Sequence, residues 1–184
     1  MLDADTILTT TEDVLRRHGP AKATVVDVAR ALGVSHAAVY RYFPSKAALR
    51  EAVTRRWLGR SHDALTRVAD DTTLPPADRL RAWLHALFTA KRATATDDPE
   101  LFTTYGILAA EHSTVAAEHV DGLITQLAGI LAALGHPAEA ARTVFTATAA
   151  FHHPAHAREW TRPDAEQNLD ALCDLLLDGL DPRS

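Results

Sequence analysis

The stretch from Thr24 to Lys46, TVVDVARALGVSHAAVYRYFPSK, restricts what this chain can fold into more than any other segment. It reads as two short helices joined by a tight turn and followed by a polar cap. Ala29 and Gly33 stand four apart; a small residue lets a second helix cross closely, and the glycine takes the positive φ of the turn. Val28, Leu32, Val34, Val39 and Tyr42 supply apolar positions that would hold two helices at a steep angle. The outward face of the second helix, from Ser35 to Arg41, is left small and polar. Such a face fits a major groove, where His36 can hydrogen-bond a purine edge and the methyls of Ala37 and Ala38 can touch thymine methyls. Thr24, Tyr40, Tyr42 and Lys46 suit phosphate contacts, because hydroxyls and an ammonium at helix ends position a backbone without reading bases. Arg41 reaches phosphate or is simply solvated, and the sequence leaves both open.

Thr24-Val25-Val26-Asp27-Val28-Ala29, Gly33-Val34-Ser35, and then Val39-Tyr40-Arg41-Tyr42-Phe43-Pro44-Ser45-Lys46-Ala47-Ala48-Leu49 together resemble the DNA-binding domain of TetR-type (tetracycline-repressor-like) transcriptional regulators. The tail Tyr-x-Tyr-Phe-x-Ser-Lys-x-x-Leu after the second helix is the specific part. The resemblance runs from about Ile7 to Val53; beyond it, the chain is similar to the family only in being helical and of suitable length. Thr11 departs from the family's usual alanine. The resemblance implies an all-α protein with an N-terminal three-helix DNA-binding domain, residues 1–47, and a C-terminal helical ligand-binding and dimerisation domain, residues 48–184. Its implied partners are a double-stranded DNA operator, a small-molecule inducer and a second copy of the chain.

The formal charge of −5 over 184 residues is unusual for a chain that grips phosphate, so its distribution matters. Residues 1–50 carry seven Lys or Arg against five Asp or Glu, and the remainder carries twelve against nineteen. Acid therefore sits away from the reading segment, which predicts weak non-specific affinity and a strong salt dependence. A single cysteine, Cys173, excludes an intramolecular disulfide framework and a cysteine-rich zinc site. Asp3 and Asp5 stand where a signal peptide would be basic, and no apolar run approaches the ~20 residues that span a bilayer. A cytoplasmic setting without a membrane partner is the expectation.

Helix signals follow one another with no convincing strand. A first helix carries Ile7, Leu8, Val14 and Leu15 and ends near Gly19-Pro20; Ser45 caps a long helix through Leu49, Val53, Trp57 and Leu58. Pro75-Pro76 opens another, Asp98-Pro99-Glu100 caps the next, and an apolar face runs from Leu123 to Leu134. A helix is predicted from Ala138 to about His152, then an irregular HPAHAREWTRP stretch and a final helix from Asp164 to Leu180. In that last helix the apolar residues repeat at i, i+3, i+4, i+7, i+8 and i+11 from Leu169, a stripe wider than one neighbour within the chain requires.

Trp83, Phe88, Phe102, Tyr105, Phe145, Phe151 and Trp160 can line a ligand cavity or fill a core, and the sequence does not decide between them. His112, His152 and His153 would add polar groups to such a cavity. Two turns of helix would place His112 and His119 on one face, and with His152 and His156 four apart, these four imidazoles form a candidate transition-metal set. Pro154 works against that geometry, so the predicted ligand is an organic inducer and no cofactor is expected, with a metal-responsive regulator using these histidines as the alternative. No Gly-rich phosphate loop, nucleophile elbow or HExxH pattern is present, and no catalysis is expected.

Overall fold

The computed structural model describes residues 2–180. Among these the chain forms nine α-helices and two short 3-10 turns, with no strand: α1 Ala4–Lys22, α2 Val25–Leu32, α3 His36–Tyr40, α4 Lys46–Ala69, α5 Pro76–Asp97, α6 Pro99–Ala110, α7 Thr114–Ala133, α8 Ala140–Ala147 and α9 Ala165–Gly179, with the turns Ala149–Phe151 and Pro154–Glu159 before α9. The all-α expectation holds.

Packing divides the chain into two units: residues 1–60 with 96–117, and residues 61–95 with 118–184. The first is built on α1, which packs against α2 and α6. Asp3 caps α1 by accepting the Thr6 amide at 2.8 Å, and Ile7, Val14 and Leu15 are buried on one stripe. The helix kinks at Gly19, where φ is +70°, a left-handed conformation that strains any residue carrying a Cβ. Arg16 reaches from α1 to Asp98, donating from Nε at 2.7 Å and Nη2 at 3.0 Å. That contact explains a departure from expectation. The Asp98 side chain does not cap α6, because the Arg16 guanidinium holds it and keeps its carboxyl below the usual range.

The same unit buries a carboxylate. Glu12, 3% exposed, accepts from Arg60 Nη2 and lies 3.4 Å from Arg16 Nη2 and 3.7 Å from Arg56 Nε. Three arginines from two helices thus surround one buried anion, the arrangement that lets a charge stay out of water.

The second unit has a core of Leu65, Leu80, Trp83, Leu84, Leu87, Phe88, Leu123, Leu127, Ile130, Leu131 and Leu169. α5 begins at Pro76, as the paired prolines predict. The expected helix from Ala138 to His152 is shorter: α8 stops at Ala147 and a 3-10 turn follows. Thr148 is the reason. Its hydroxyl donates back to the carbonyls of Val144 (3.0 Å) and Phe145 (3.1 Å), a competing bond that favours helix ends, and its backbone leaves the helical region at φ −90°, ψ 7°. In α9, Leu169 and Cys173 turn inward while Leu172, Leu176 and Leu177 are half-buried and Leu175 is 70% exposed, so the broad stripe divides between the core and the surface.

Candidate nucleic-acid interface

Three caps set the geometry of residues 24–48. Thr24 and Asp27 form a reciprocal capping box: the Thr24 hydroxyl accepts the Asp27 amide at 3.2 Å while the Asp27 carboxylate accepts the Thr24 amide at 3.1 Å. The bond from the Thr24 hydroxyl also pulls the Asp27 pKa down. Gly33 closes α2 at φ +67°, ψ +29°, the left-handed turn read from the sequence. Ser35 then caps α3 by accepting the Ala38 amide at 3.2 Å, and Ser45 caps α4 by accepting the Ala48 amide at 3.0 Å. Each cap satisfies amides that would otherwise be orphaned at a helix start, and each spans only three residues.

Between these fixed points, Val28, Ala29, Ala38 and Val39 are buried, and Ser35, His36, Ala37, Tyr40 and Arg41 are exposed. The His36 and Tyr40 rings stand edge to face with centroids 6.3 Å apart, one turn of α3. Two sequence-based placements change. Ala38 packs inward at 9% exposure, so its methyl does not belong to the outward face; it lies on the α2-facing side of α3. Tyr42 does not pack between the helices; it is 42% exposed, and its hydroxyl donates to the Leu2 carbonyl at 2.7 Å. Thr24, Arg41 and Lys46 remain at the surface.

The ligand and metal candidates separate. Phe102, Tyr105 and His112 fall in the first unit; Trp83, His119, Phe151, His152, His153 and His156 fall in the second. Tyr105 is buried against Trp57 at a centroid distance of 6.5 Å, and burial pushes its pKa up to about 12. His112 is an exposed residue of the turn between α6 and α7 with φ +53°. Because α7 starts only at Thr114, His112 and His119 do not share a helix face, and that expectation fails. His152 is a core histidine. Its Nε2 donates to the Phe145 carbonyl at 2.9 Å, its ring stacks on Phe145 at 4.1 Å, and burial lowers its pKa to about 4. His153 and His156 are exposed at the 3-10 turn that Pro154 begins, so the i, i+4 pair with His152 is not formed on a helix. Among the described residues no group of three or more His, Cys, Asp or Glu is arranged to hold a metal.

Within the second unit a half-open cavity of about 270 Å³ is lined by Ala150, Phe151, Trp160 and Ala165, with Glu159, Arg162, Asp164 and Asn168 also on its wall. Of the aromatic residues expected at a ligand cavity, Phe151 and Trp160 line it. Trp83 is fully buried, with its indole N–H donating to Gln126 Oε1 at 2.9 Å. Gln126 in turn bonds His62 Nε2 (3.1 Å) and the Thr66 hydroxyl (2.8 Å), a part-buried polar chain that sequence reading missed because these bonds join residues 43 to 64 apart.

Residues 7–53 match the family model for bacterial regulatory proteins of the tetR family, and residues 76–173, more than half of the chain, match the tetracyclin repressor-like C-terminal domain. The chain belongs to the TetR family. An HTH-type transcriptional regulator of Mycobacterium tuberculosis, described as uncharacterized, is 38% identical over 80 residues; that stretch is 43% of this chain and 39% of the relative's length. Among solved structures, Mycobacterium smegmatis BioQ is similar across 100% of both chains with 26% identity and a TM-score of 0.61. BioQ crystallised with its natural double-stranded DNA operator covers 98% of this chain and 99% of that one at 28% identity and a TM-score of 0.59. The TetR-family chain described here is therefore a transcriptional regulator with a DNA-binding helix-turn-helix, formed by α2 and α3. No helix among the described residues is long and apolar enough to cross a membrane.

Proposed function

We propose that the chain is a cytoplasmic repressor that reads a pseudo-palindromic operator as a homodimer and is released by a small organic ligand. The observation that carries this reading is the capped α3, which leaves His36 and Ala37 exposed between the surface groups Thr24, Tyr40, Arg41, Tyr42 and Lys46. Small and polar groups at the centre suit base edges, and hydroxyls and cations around them suit phosphates. The similar BioQ, crystallised on its operator, supports the same use of the segment. In functional terms residues 1–47 read DNA, and residues 48–184 dimerise and sense the ligand.

Dimerisation is assigned to α8 and α9, where Leu175 is 70% exposed beside the half-buried Leu172 and Leu176. An exposed leucine flanked by apolar neighbours is a surface that association would cover. Leu175→Asp leaves the monomer core alone and splits the dimer; sedimentation of that variant as a dimer at low micromolar concentration would overturn the placement. The ligand releases DNA only through the difference in its affinity for the operator-bound and free conformations. Selection of fragments by the purified protein from a random DNA pool tests the whole reading. The expected product has two symmetric half-sites about 34–36 Å apart, or a multiple of that. A single asymmetric site would remove the dimer from the reading.

A further inference from the structure

The cavity of about 270 Å³ lies where the two 3-10 turns meet the start of α9. Its walls are tied together within the second unit. The Trp160 indole N–H donates to the Ala150 carbonyl at 2.8 Å, which joins the end of the second turn to the first, and the Phe151 ring stands edge to face on Phe88 of α5 at 5.9 Å. Trp160 is buried and Phe151 half-buried, so the floor they make with Ala165 is apolar. Such a floor suits an apolar ligand body. A cavity of about 150 Å³ holds benzene, so one of about 270 Å³ holds a single aromatic ring with a short side chain and little more.

The polar groups on the wall decide the charge of the ligand. Arg162 is the cation there, and the Asp164 carboxylate takes most of it, accepting from Nε at 3.1 Å and from Nη2 at 3.3 Å. That pair holds the Asp164 pKa below the usual carboxylate range. Glu159 is served less well. Its carboxylate, 61% exposed, meets Arg162 only through Nη1 at 3.5 Å, well beyond the roughly 2.7–2.9 Å of a charge-assisted bond. Two carboxylates thus share one guanidinium beside an apolar floor. A ligand anion would be a third acid around one cation, whereas a ligand cation would restore the balance.

We propose that this cavity binds a small arylalkyl ammonium ion, with its ring on the floor of Phe151 and Trp160 and its ammonium at Glu159. The proposal rests on the ligand-sensing reading above and gives that reading a site and a ligand class. A ligand seated there bears on Asp164 and Ala165 at the start of α9, the helix whose Leu175 carries the proposed dimer surface. Occupancy reaches that surface through a single helix.

The test titrates the full chain at pH 7 by calorimetry with phenethylamine and with 3-phenylpropanoate, which carries the same ring on the same two-carbon tether but the opposite charge. An amine of this type is protonated at that pH. The expected result is one phenethylamine per chain with a Kd of roughly 0.1–1 mM, and binding of 3-phenylpropanoate weaker by about tenfold or more. Glu159→Gln should erase most of that difference, and Ala150→Trp, at an exposed residue of the cavity wall, should abolish binding of both compounds. Phenethylamine should also release the pool-selected operator from the unaltered chain and not from Ala150→Trp. The two titrations of the unaltered chain decide the matter even if a variant fails to fold. No saturable binding of phenethylamine, equal or tighter binding of 3-phenylpropanoate, undiminished binding to folded Ala150→Trp, or binding without operator release overturns the proposal. Operator release from Ala150→Trp by some other compound overturns the site while leaving the ligand-sensing reading intact; a selected pool with no operator fails that reading itself, and calorimetry still decides the cavity.

Discussion

The reading segment and the second unit handle polar groups in opposite ways. Around α2 and α3 the capping side chains stand at or near the surface, and each reaches only three residues along the chain. In the second unit polar groups are drawn into the core and meet partners far away in sequence: Lys91 with His119 across 28 residues, Trp83 with Gln126 across 43 and His62 with Gln126 across 64. A surface whose caps are local is held rigid without help from distant parts of the chain. A unit that buries an amine and imidazoles instead depends on conditions, because burial opposes their protonation and lowers the pKa of Lys91, His119 and His152.

The comparison can be broken first at the exception to it, Glu12, the buried anion of the first unit. Glu12→Ala should cost about 3 kcal/mol of stability, since it leaves three arginines without their shared acceptor, a loss moderated by their partial exposure. A change below about 1 kcal/mol in denaturant titration would mean that the ion cluster is incidental.

Next in size is the acid side of the second unit. His152 has its folded pKa pushed down to about 4, below the unfolded value of 6.5. As pH falls the unfolded chain takes up the proton first, so stability is full above about 6.5 and is lost progressively down to about 4, by about 3 kcal/mol from this group alone. Thermal unfolding at pH 7.5 and 4.5, compared with His152→Gln, measures it. An equal fall in both proteins would assign the acid sensitivity elsewhere.

His36→Ala should cost about 1–3 kcal/mol at one symmetric pair of operator positions and little on random DNA. An unaltered ranking across single-base operator variants would remove His36 from base reading. The smallest effect belongs to Ser45→Ala, which removes the acceptor for the Ala48 amide and should cost about 1 kcal/mol in thermal or denaturant unfolding. A neutral result there would show that packing of Leu49 and Val53, both buried, fixes the start of α4 without the cap.

The same contrast explains what was legible in the sequence. The helix-turn-helix could be read because its determinants are local: a capping residue, the interval to the next amide, a glycine at the turn. The start of α5 at Pro76 was legible for the same reason. Ala38 was misplaced because a five-residue helix offers too few turns for periodicity to say which side faces in, and Tyr42 because it lies beyond the end of α3, where helical periodicity no longer applies. His112 was misplaced because the two-turn spacing to His119 presumes one unbroken helix, and the break at residues 111–113 has neither glycine nor proline to mark it. The Lys91–His119 pair left no local trace at all, since nothing in ALFTAKRAT or AAEHVDG indicates that the two side chains meet.

The first unit's composition from residues 1–60 and 96–117 has a consequence for how a cell makes this protein. The reading segment emerges from the ribosome early, but α6, which packs on α1, is translated only after all of α5. At ordinary elongation rates the 57 residues between Arg60 and Ala117 take about 3–11 seconds to appear. During that interval the nascent chain holds a helix-turn-helix whose α1 still lacks α6, with Arg16 waiting for Asp98. A message truncated after residue 60 would therefore yield a helix-turn-helix whose α1 lacks the α6 on which it packs in the finished chain.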